Sequence, residues 1–295
     1  MLRKMLRSLL LLMVVASLVT PAIAQATMVR MKTSLGVVDV MLFDNGAPIT
    51  VANFLNYVNR NDYDGSFIHR NASYSDGTPF VLQGGGFGMD AVGYYAIPTD
   101  PAIFNEYSPD RSNERGTIAM AKVGYDPNSA TSQWFFNLGD NSVNLNHQNG
   151  GFTVFGQVAG DGMTVVDAIA ALDVVNANGA FTHLPLRSTP ESGASIKAEN
   201  LVMIDAAYVL PTDGTISDAD RLFNFFEGSF QTFISPVGFP SQTIAGYYYR
   251  YYADTESYVG IKGGRVYYLG PFGNYETIDL GSYDDWLQSA FASGY

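Results

Sequence analysis

The 295 residues contain no cysteine, three histidines and two tryptophans. Without cysteine there is no disulfide framework, no thiol nucleophile and no sulfur ligand for zinc. His69, His147 and His183 are scattered, with no His-x-x-x-His spacing, so no metal and no cofactor are expected. Positive charge is scarce as well: 16 Lys and Arg stand against 28 Asp and Glu, a formal net charge of −12. A surface of that sign repels phosphate backbones and anionic headgroups, which argues against nucleic acid and membrane surfaces as partners. The glycine run Gly84–Gly86 is followed by neither Lys-Ser/Thr nor a helix start, which excludes a phosphate cradle. No repeat of about 20–50 residues is visible. No Ser-His-Asp set at a plausible spacing offers hydrolase chemistry.

Long apolar runs are missing too, with one short exception. Arg3, Lys4 and Arg7 precede Leu9 to Val19, and Ala22-Ile-Ala24 ends the stretch with small residues. This reads as a signal peptide over residues 1–24, shorter than the roughly 20 apolar residues of a comfortable membrane span. Its removal takes away three positive charges and moves the formal charge from −12 to −15. The mature chain is then expected in the periplasm or outside the cell, as a monomer, off the membrane. At 47% hydrophobic and 15% charged it has ordinary globular composition, enough for one or two domains.

What is present is strand after strand. Alternation in Val29–Thr33 and Val37–Phe43, broken at Ser34-Leu-Gly36, predicts a hairpin. Pro48 suits the first turn of a helix carrying Val51, Phe54, Leu55 and Val58 at helical spacing. Strand candidates follow at Phe67–Arg70, Phe80–Gln83, Gly116–Ala121, Ser132–Leu138, Phe152–Val158 and Leu201–Ile204. A second helix runs from Asp161 through Val165, Val166, Ile169 and Leu172. Residues 91–114 and 174–198 read as loops. Strands joined mostly by loops, with two helices, predict an antiparallel β-barrel or sandwich capped by helices, in a domain over residues 28–210.

Residues 67–86 carry the chemistry: Phe67-Ile-His-Arg70, a polar loop, then Phe80-Val-Leu-Gln83-Gly-Gly-Gly86. One cation, one amide and one ring sit beside glycines that allow close backbone approach. Taken alone, Arg70 reads as a surface cation in an ion pair, Gln83 as a buried structural amide, and the neighbouring aromatics as core.

Several blocks in order carry a resemblance. They are Pro48 to Tyr57, Phe67-Ile-His-Arg70, Phe80 to Gly85, Gly116 to Ala121, Ser129-Ala-Thr-Ser-Gln133-Trp-Phe135 and Val154-Phe-Gly156. Together they resemble the cyclophilin-type peptidyl-prolyl cis-trans isomerases, which implies a closed antiparallel barrel with two helices and proline-containing polypeptides as substrates. Isomerisation breaks no covalent bond and must lower a rotational barrier of about 18–20 kcal/mol arising from amide resonance. It needs a donor for a pyramidal prolyl nitrogen, and the always-charged fork of Arg70 is the natural one. The resemblance gives Arg70, Gln83 and Phe80 the catalytic roles. It implies ring-pocket walls from Phe80, Val81, Met120, Phe135, Leu145 and Phe152. It also implies a substrate-backbone contact at Gln83, a peptide-pairing edge at Ala121 and Lys122, and support for the arginine from Gln133. His69 precedes Arg70 as in the family and is counted with the substrate-binding set, although a satisfied structural histidine suits a reaction without proton transfer better. A proline-peptide binding module or chaperone with little turnover is the alternative.

Three departures stand out. Nine residues separate Arg70 from Phe80 where the family pattern has about four. Asn144 stands where cyclosporin-sensitive members have tryptophan. Lys122 and Trp134 replace commoner residues beside the cleft. The resemblance ends before Pro211-Thr-Asp-Gly214, so residues 211–217 read as a linker and 218–295 as a small α+β domain of unstated role. That tail holds 11 of the 19 tyrosines. Ser217 suits a helix cap, Gly263-Gly264 a type I′ hairpin turn, and Ser282 with Asp285 the start of a last helix.

Overall fold

A computed structural model describes residues 26–191, 193–211, 217–231, 234, 238 and 241–295. The expected leader at 1–24, and residues 212–216 of the expected linker, lie outside them.

Strands β1 (Met28–Thr33) and β2 (Gly36–Leu42) form the expected hairpin, followed by helix α1 (Pro48–Asn59). Next come β3 (Ser66–Phe67), β4 (Arg70–Ser73), β5 (Pro79–Gly84), β6 (Phe87–Met89) and β7 (Tyr94–Ala96). Beyond a long loop lie β8 (Thr117–Met120), β9 (Trp134–Asn137), the one-turn helix α2 (Ser142–Leu145), β10 (Val154–Ala159) and α3 (Gly162–Ala170). The short pair β11 (Val174–Val175) and β12 (Leu184–Pro185) precedes β13 (Met203–Leu210). Pro48 occupies the first turn of α1, where its missing N–H costs nothing. Glu106, from the loop 97–116, accepts from the free N–H groups of Ile49 and Thr50 at 3.1 and 2.7 Å.

Eleven strands make one curled sheet in the order β4-β5-β9-β8-β10-β2-β1-β13-β3-β6-β7. The sheet curls on itself as expected of an antiparallel barrel, with a break in the hydrogen-bonded ladder between β3 and β4. Its ends are drawn together by one chain segment instead. Ile68 N–H donates to Val202 O on one side and His69 N–H to Gln83 O on the other, while β6 and β7 extend the sheet past that point. Inside the curl a main core joins Val38, Val40, Leu82, Ile118, Trp134 and Phe136 to the buried faces of α1 and α3.

The tail builds a second sheet, in the order β14 (Gln242–Ile244), β15 (Tyr247–Tyr252), β16 (Ser257–Lys262), β17 (Arg265–Leu269) and β18 (Ile278–Ser282). Gly263 and Gly264 have φ of 58° and 72°, the left-handed pair that a type I′ turn requires. Ser217 and Ser282 accept from Asp220 N and Asp285 N, capping α4 (Asp218–Ser229) and α5 (Tyr283–Ala292). Strand alternation divides the tyrosines. Tyr252 and Tyr268 face the helices within the second core, and Tyr247, Tyr249, Tyr258 and Tyr267 line an outer groove of about 390 Å³ over Gly260.

Helix α4 is buried on nearly every side because it lies between this sheet and β2. Met28, Ala159 and Leu210 of the first sheet share the second core. A buried ion cluster crosses the junction. Arg30 pairs bidentately with Asp39, both bonds 2.8 Å, and donates to Glu227 at 2.6 Å. Glu227 also accepts from Arg250 at 2.7 Å, and the Tyr295 hydroxyl bonds Asp39. Burial alone would lower the pKa of Arg30, but Asp39 and Glu227 outweigh it and hold it well above its ordinary value.

Candidate active site

Register places the key residues. Arg70 pairs with Gln83, Gln83 with Phe135 and Phe135 with Ala119, a row across β4, β5, β9 and β8. Because side chains alternate, all four lie on the sheet face opposite the main core. The next row on that face is Ala72, Val81, Asn137 and Thr117, continuing the same register by one pair beyond β8's partner of Phe136. Phe80 and Phe152, half-buried, join buried Val81, Phe135 and Leu145 in one small apolar cluster on this face. Leu145 gets there through α2, a turn of helix that the sequence reading missed because its residues, Ser142 to Leu145, show no period.

Arg70 lies half-buried beside this cluster. Its Nη1 donates to Gln83 Oε1 at 3.3 Å, beyond the ordinary 2.7–3.2 Å range for such a bond. No carboxylate pairs with it among the described residues, and burial lowers its pKa from the ordinary value. Gln83 Nε2 donates to Gln133 Oε1 at 2.8 Å, so Gln133 reaches the arginine only through Gln83. Each polar atom of the Gln83 amide keeps one unused bonding position. Lys122 Nζ donates to Asn149 O and Gly151 O, both at 2.7 Å, and sits 4.7 Å from the Phe152 ring centroid. Burial pulls its pKa from 10.5 to about 8. The lysine thus ties the strand edge after Ala121 to the loop that delivers Phe152.

The comparison with known families then decides the assignment. The sequence profile described as "Cyclophilin type peptidyl-prolyl cis-trans isomerase/CLD" matches residues 28–189, more than half of the chain. The chain belongs to the cyclophilin family. A peptidyl-prolyl cis-trans isomerase of Acinetobacter baylyi is 39% identical over 175 residues, covering 59% of this chain and 87% of the relative. Peptidyl-prolyl cis-trans isomerase A of Dickeya dadantii is 36% identical over 181 residues, 60% of this chain and 89% of the relative. A crystal structure of a Cryptosporidium parvum cyclophilin, solved in the presence of the dipeptide Ala-Pro, aligns with a TM-score of 0.46 at 20% identity over 63% of this chain and 99% of that one. This cyclophilin is a peptidyl-prolyl cis-trans isomerase.

Some residues expected in the cyclophilin cleft are placed elsewhere. Met120 is buried in the main core opposite Trp134, because it alternates with Ala119 and Ala121. Trp134 itself is fully buried against Tyr63 and Phe136, so it shapes the core and not the cleft. The glycines answer to it as well: a Cβ on Gly84 would lie 2.9 Å from the indole, and one on Gly85 2.6 Å from Ser132 O. Close approach is needed there, but by the chain's own groups. Asn144 stays partly exposed on α2 and accepts from Gln148 Nε2.

His69 is buried, edge-on to Phe87 at 5.1 Å, with Nδ1 unpartnered. Burial, helped by the Arg70 charge and opposed by a hydrogen bond with Gln133, lowers its pKa from 6.5 to about 4, so the ring is neutral at physiological pH. Its folded pKa lies below the unfolded one. Between pH 4 and 6.5 only the unfolded chain takes up this proton, so stability from His69 is complete above 6.5 and lost as pH falls toward 4. The loss amounts to about 3 kcal/mol. Denaturant unfolding at pH 7 and pH 4.5 is expected to show a smaller acid loss in His69→Gln than in the wild type; equal losses would contradict the neutral, buried histidine.

Sequence reasoning missed Tyr74, Asn113, Asn137 and Asn141, which stand behind the cleft. The available signal was Asn137, a polar residue inside the otherwise apolar run Trp134–Leu138, since a buried amide there must be bonded.

Proposed function

We propose that this isomerase acts on Xaa-Pro bonds of exported, proline-containing polypeptides and that Arg70 polarises the prolyl nitrogen. As the C–N bond twists, the nitrogen lone pair leaves the amide resonance and becomes a hydrogen-bond acceptor. A guanidinium N–H aimed at it stabilises the twisted state more than either planar ground state, which is what lowers the barrier. Phe80, Val81, Phe135, Leu145 and Phe152 hold the ring, Gln83 bonds the flanking peptide, and the edge at Ala121 and Lys122 pairs with an extended chain. No proton changes hands.

The observation that carries this reading is the cationic Arg70 beside an apolar cluster, with its one bond long and no carboxylate within reach among the described residues. A structural arginine would be paired. Its test is the rate of cis–trans exchange in a Xaa-Pro peptide with the wild type and with Arg70→Ala.

The export context rests on residues 1–24 as a cleaved signal peptide, with 28–210 as catalytic domain, 211–217 as linker and 218–295 as an added module. Fractionation of bacteria expressing the full chain, with N-terminal sequencing, is expected to find a periplasmic or secreted protein beginning at Gln25. An uncleaved cytoplasmic protein would contradict it.

A further inference from the structure

We infer that Tyr74, in the lengthened connection between Arg70 and Phe80, is a positioning residue for the prolyl pocket, acting on Phe80 directly and through Asn141. The inference rests on the reading of Phe80, Leu145 and Phe152 as pocket walls. The connection is a closed turn: Tyr74 N donates to Thr78 O at 2.8 Å, Gly77 N to Tyr74 O at 2.9 Å, and Thr78 N to Asp76 Oδ1 at 2.9 Å. A register shift after Ala72 accommodates the extra residues. The turn brings the Tyr74 ring to 4.7 Å from the Phe80 ring, centroid to centroid.

The Tyr74 hydroxyl donates to Asn141 Oδ1 at 3.0 Å. Asn141 is buried, and its Nδ2 donates to Phe80 O at 2.9 Å and to Asn137 Oδ1 at 2.8 Å. Its backbone carbonyl accepts from Leu145 N at 2.8 Å, starting the turn of helix that seats Leu145. Asn137 Nδ2 passes the chain to Asn113 Oδ1 at 3.2 Å, and Asn113 Nδ2 donates to Phe152 O at 3.0 Å. One array of side-chain amides therefore holds the backbone of Phe80 and Phe152, and Asn141, its member next to Phe80, also begins the turn that carries Leu145. Each amide can point only one way, because an Oδ1 must face a donor and an Nδ2 an acceptor. Tyr74 is the donor at the outer end. Without its hydroxyl, Asn141 Oδ1 loses its partner, and without its ring Phe80 loses the contact on its outer side.

Ring walls grip proline in the planar and twisted states alike, so loosening them raises KM more than it lowers kcat. The full chain is measured with a Xaa-Pro peptide as wild type, Tyr74→Phe, Tyr74→Ala and Phe80→Ala, each checked for a native unfolding transition. Tyr74→Phe is expected to raise KM about 3–10-fold, the worth of one hydrogen bond. Tyr74→Ala should raise it tenfold or more, with kcat within about twofold of wild type in both variants. An unchanged KM in Tyr74→Ala, with KM raised in Phe80→Ala, overturns the positioning role. An unchanged KM in Phe80→Ala overturns the pocket reading itself. A fall in kcat matching a loss of folded protein, with KM unmoved, also overturns it, since that is all a merely structural tyrosine would do.

Discussion

Arg70→Ala is expected to lower kcat/KM for a Xaa-Pro peptide by about 10²–10³-fold, the usual cost of removing one donor aimed at charge that develops in a transition state. The effect should fall mainly on kcat, because the guanidinium meets an acceptor nitrogen only when the amide is twisted. Arg70→Lys keeps the charge but loses the planar fork and is expected to recover only part of the rate. Stability should move the other way. Arg70 is half-buried without a carboxylate partner among the described residues, and burial disfavours its charged form. Its removal is therefore expected to leave the unfolding midpoint unchanged or raise it, the pattern of a group kept for function at a cost in stability. Circular dichroism melts beside the kinetics check this. A large loss of stability in Arg70→Ala would identify a structural arginine.

Arg30→Met has the second large expected effect, about 3–5 kcal/mol of destabilisation, read from denaturant midpoints. Arg30 and Asp39 are almost wholly buried at the junction between the two sheets. With the arginine gone, Glu227 still has Arg250, but among the described residues Asp39 keeps only the Tyr295 hydroxyl and becomes an uncompensated buried charge. The loss is a large fraction of an ordinary domain's 5–15 kcal/mol. Most of it measures the abandoned carboxylate and not the worth of the pair, so Arg30→Met combined with Asp39→Leu is expected to regain much of the stability. A single-variant cost below about 1 kcal/mol would mean that water reaches the cluster. Because Glu227 lies on α4 and Arg30 on β1, the same variant should loosen the contact between the second sheet and the first.

The elements that were legible in the sequence are those with a local cause. Pro48 and the spacing of Val51, Phe54 and Val58 gave α1, Gly263-Gly264 gave the tight hairpin, and Ser217 and Ser282 gave the starts of the last two helices. Arg70, Gln83 and Phe135 were identified by resemblance, and strand register then brought them into one row. What stayed hidden is non-local. Nothing near Met120 says that it faces the core, since that depends on which face β8 turns inward. The asparagine array joins residues up to 67 positions apart. The tie between Arg30 and Glu227 spans 197. The polar connection at 71–79, read in the sequence only as longer than the family pattern, is held by the Tyr74 hydroxyl and ring, and neither contact has a periodic or motif signal.

The most direct measurement is exchange spectroscopy on a labelled Xaa-Pro peptide, whose uncatalysed interconversion takes tens to hundreds of seconds. The wild-type chain is expected to give strong cis–trans exchange peaks, and Arg70→Ala to shift the peptide resonances on binding while giving almost none. Exchange peaks of equal strength in both would contradict Arg70 as the group that lowers the rotational barrier.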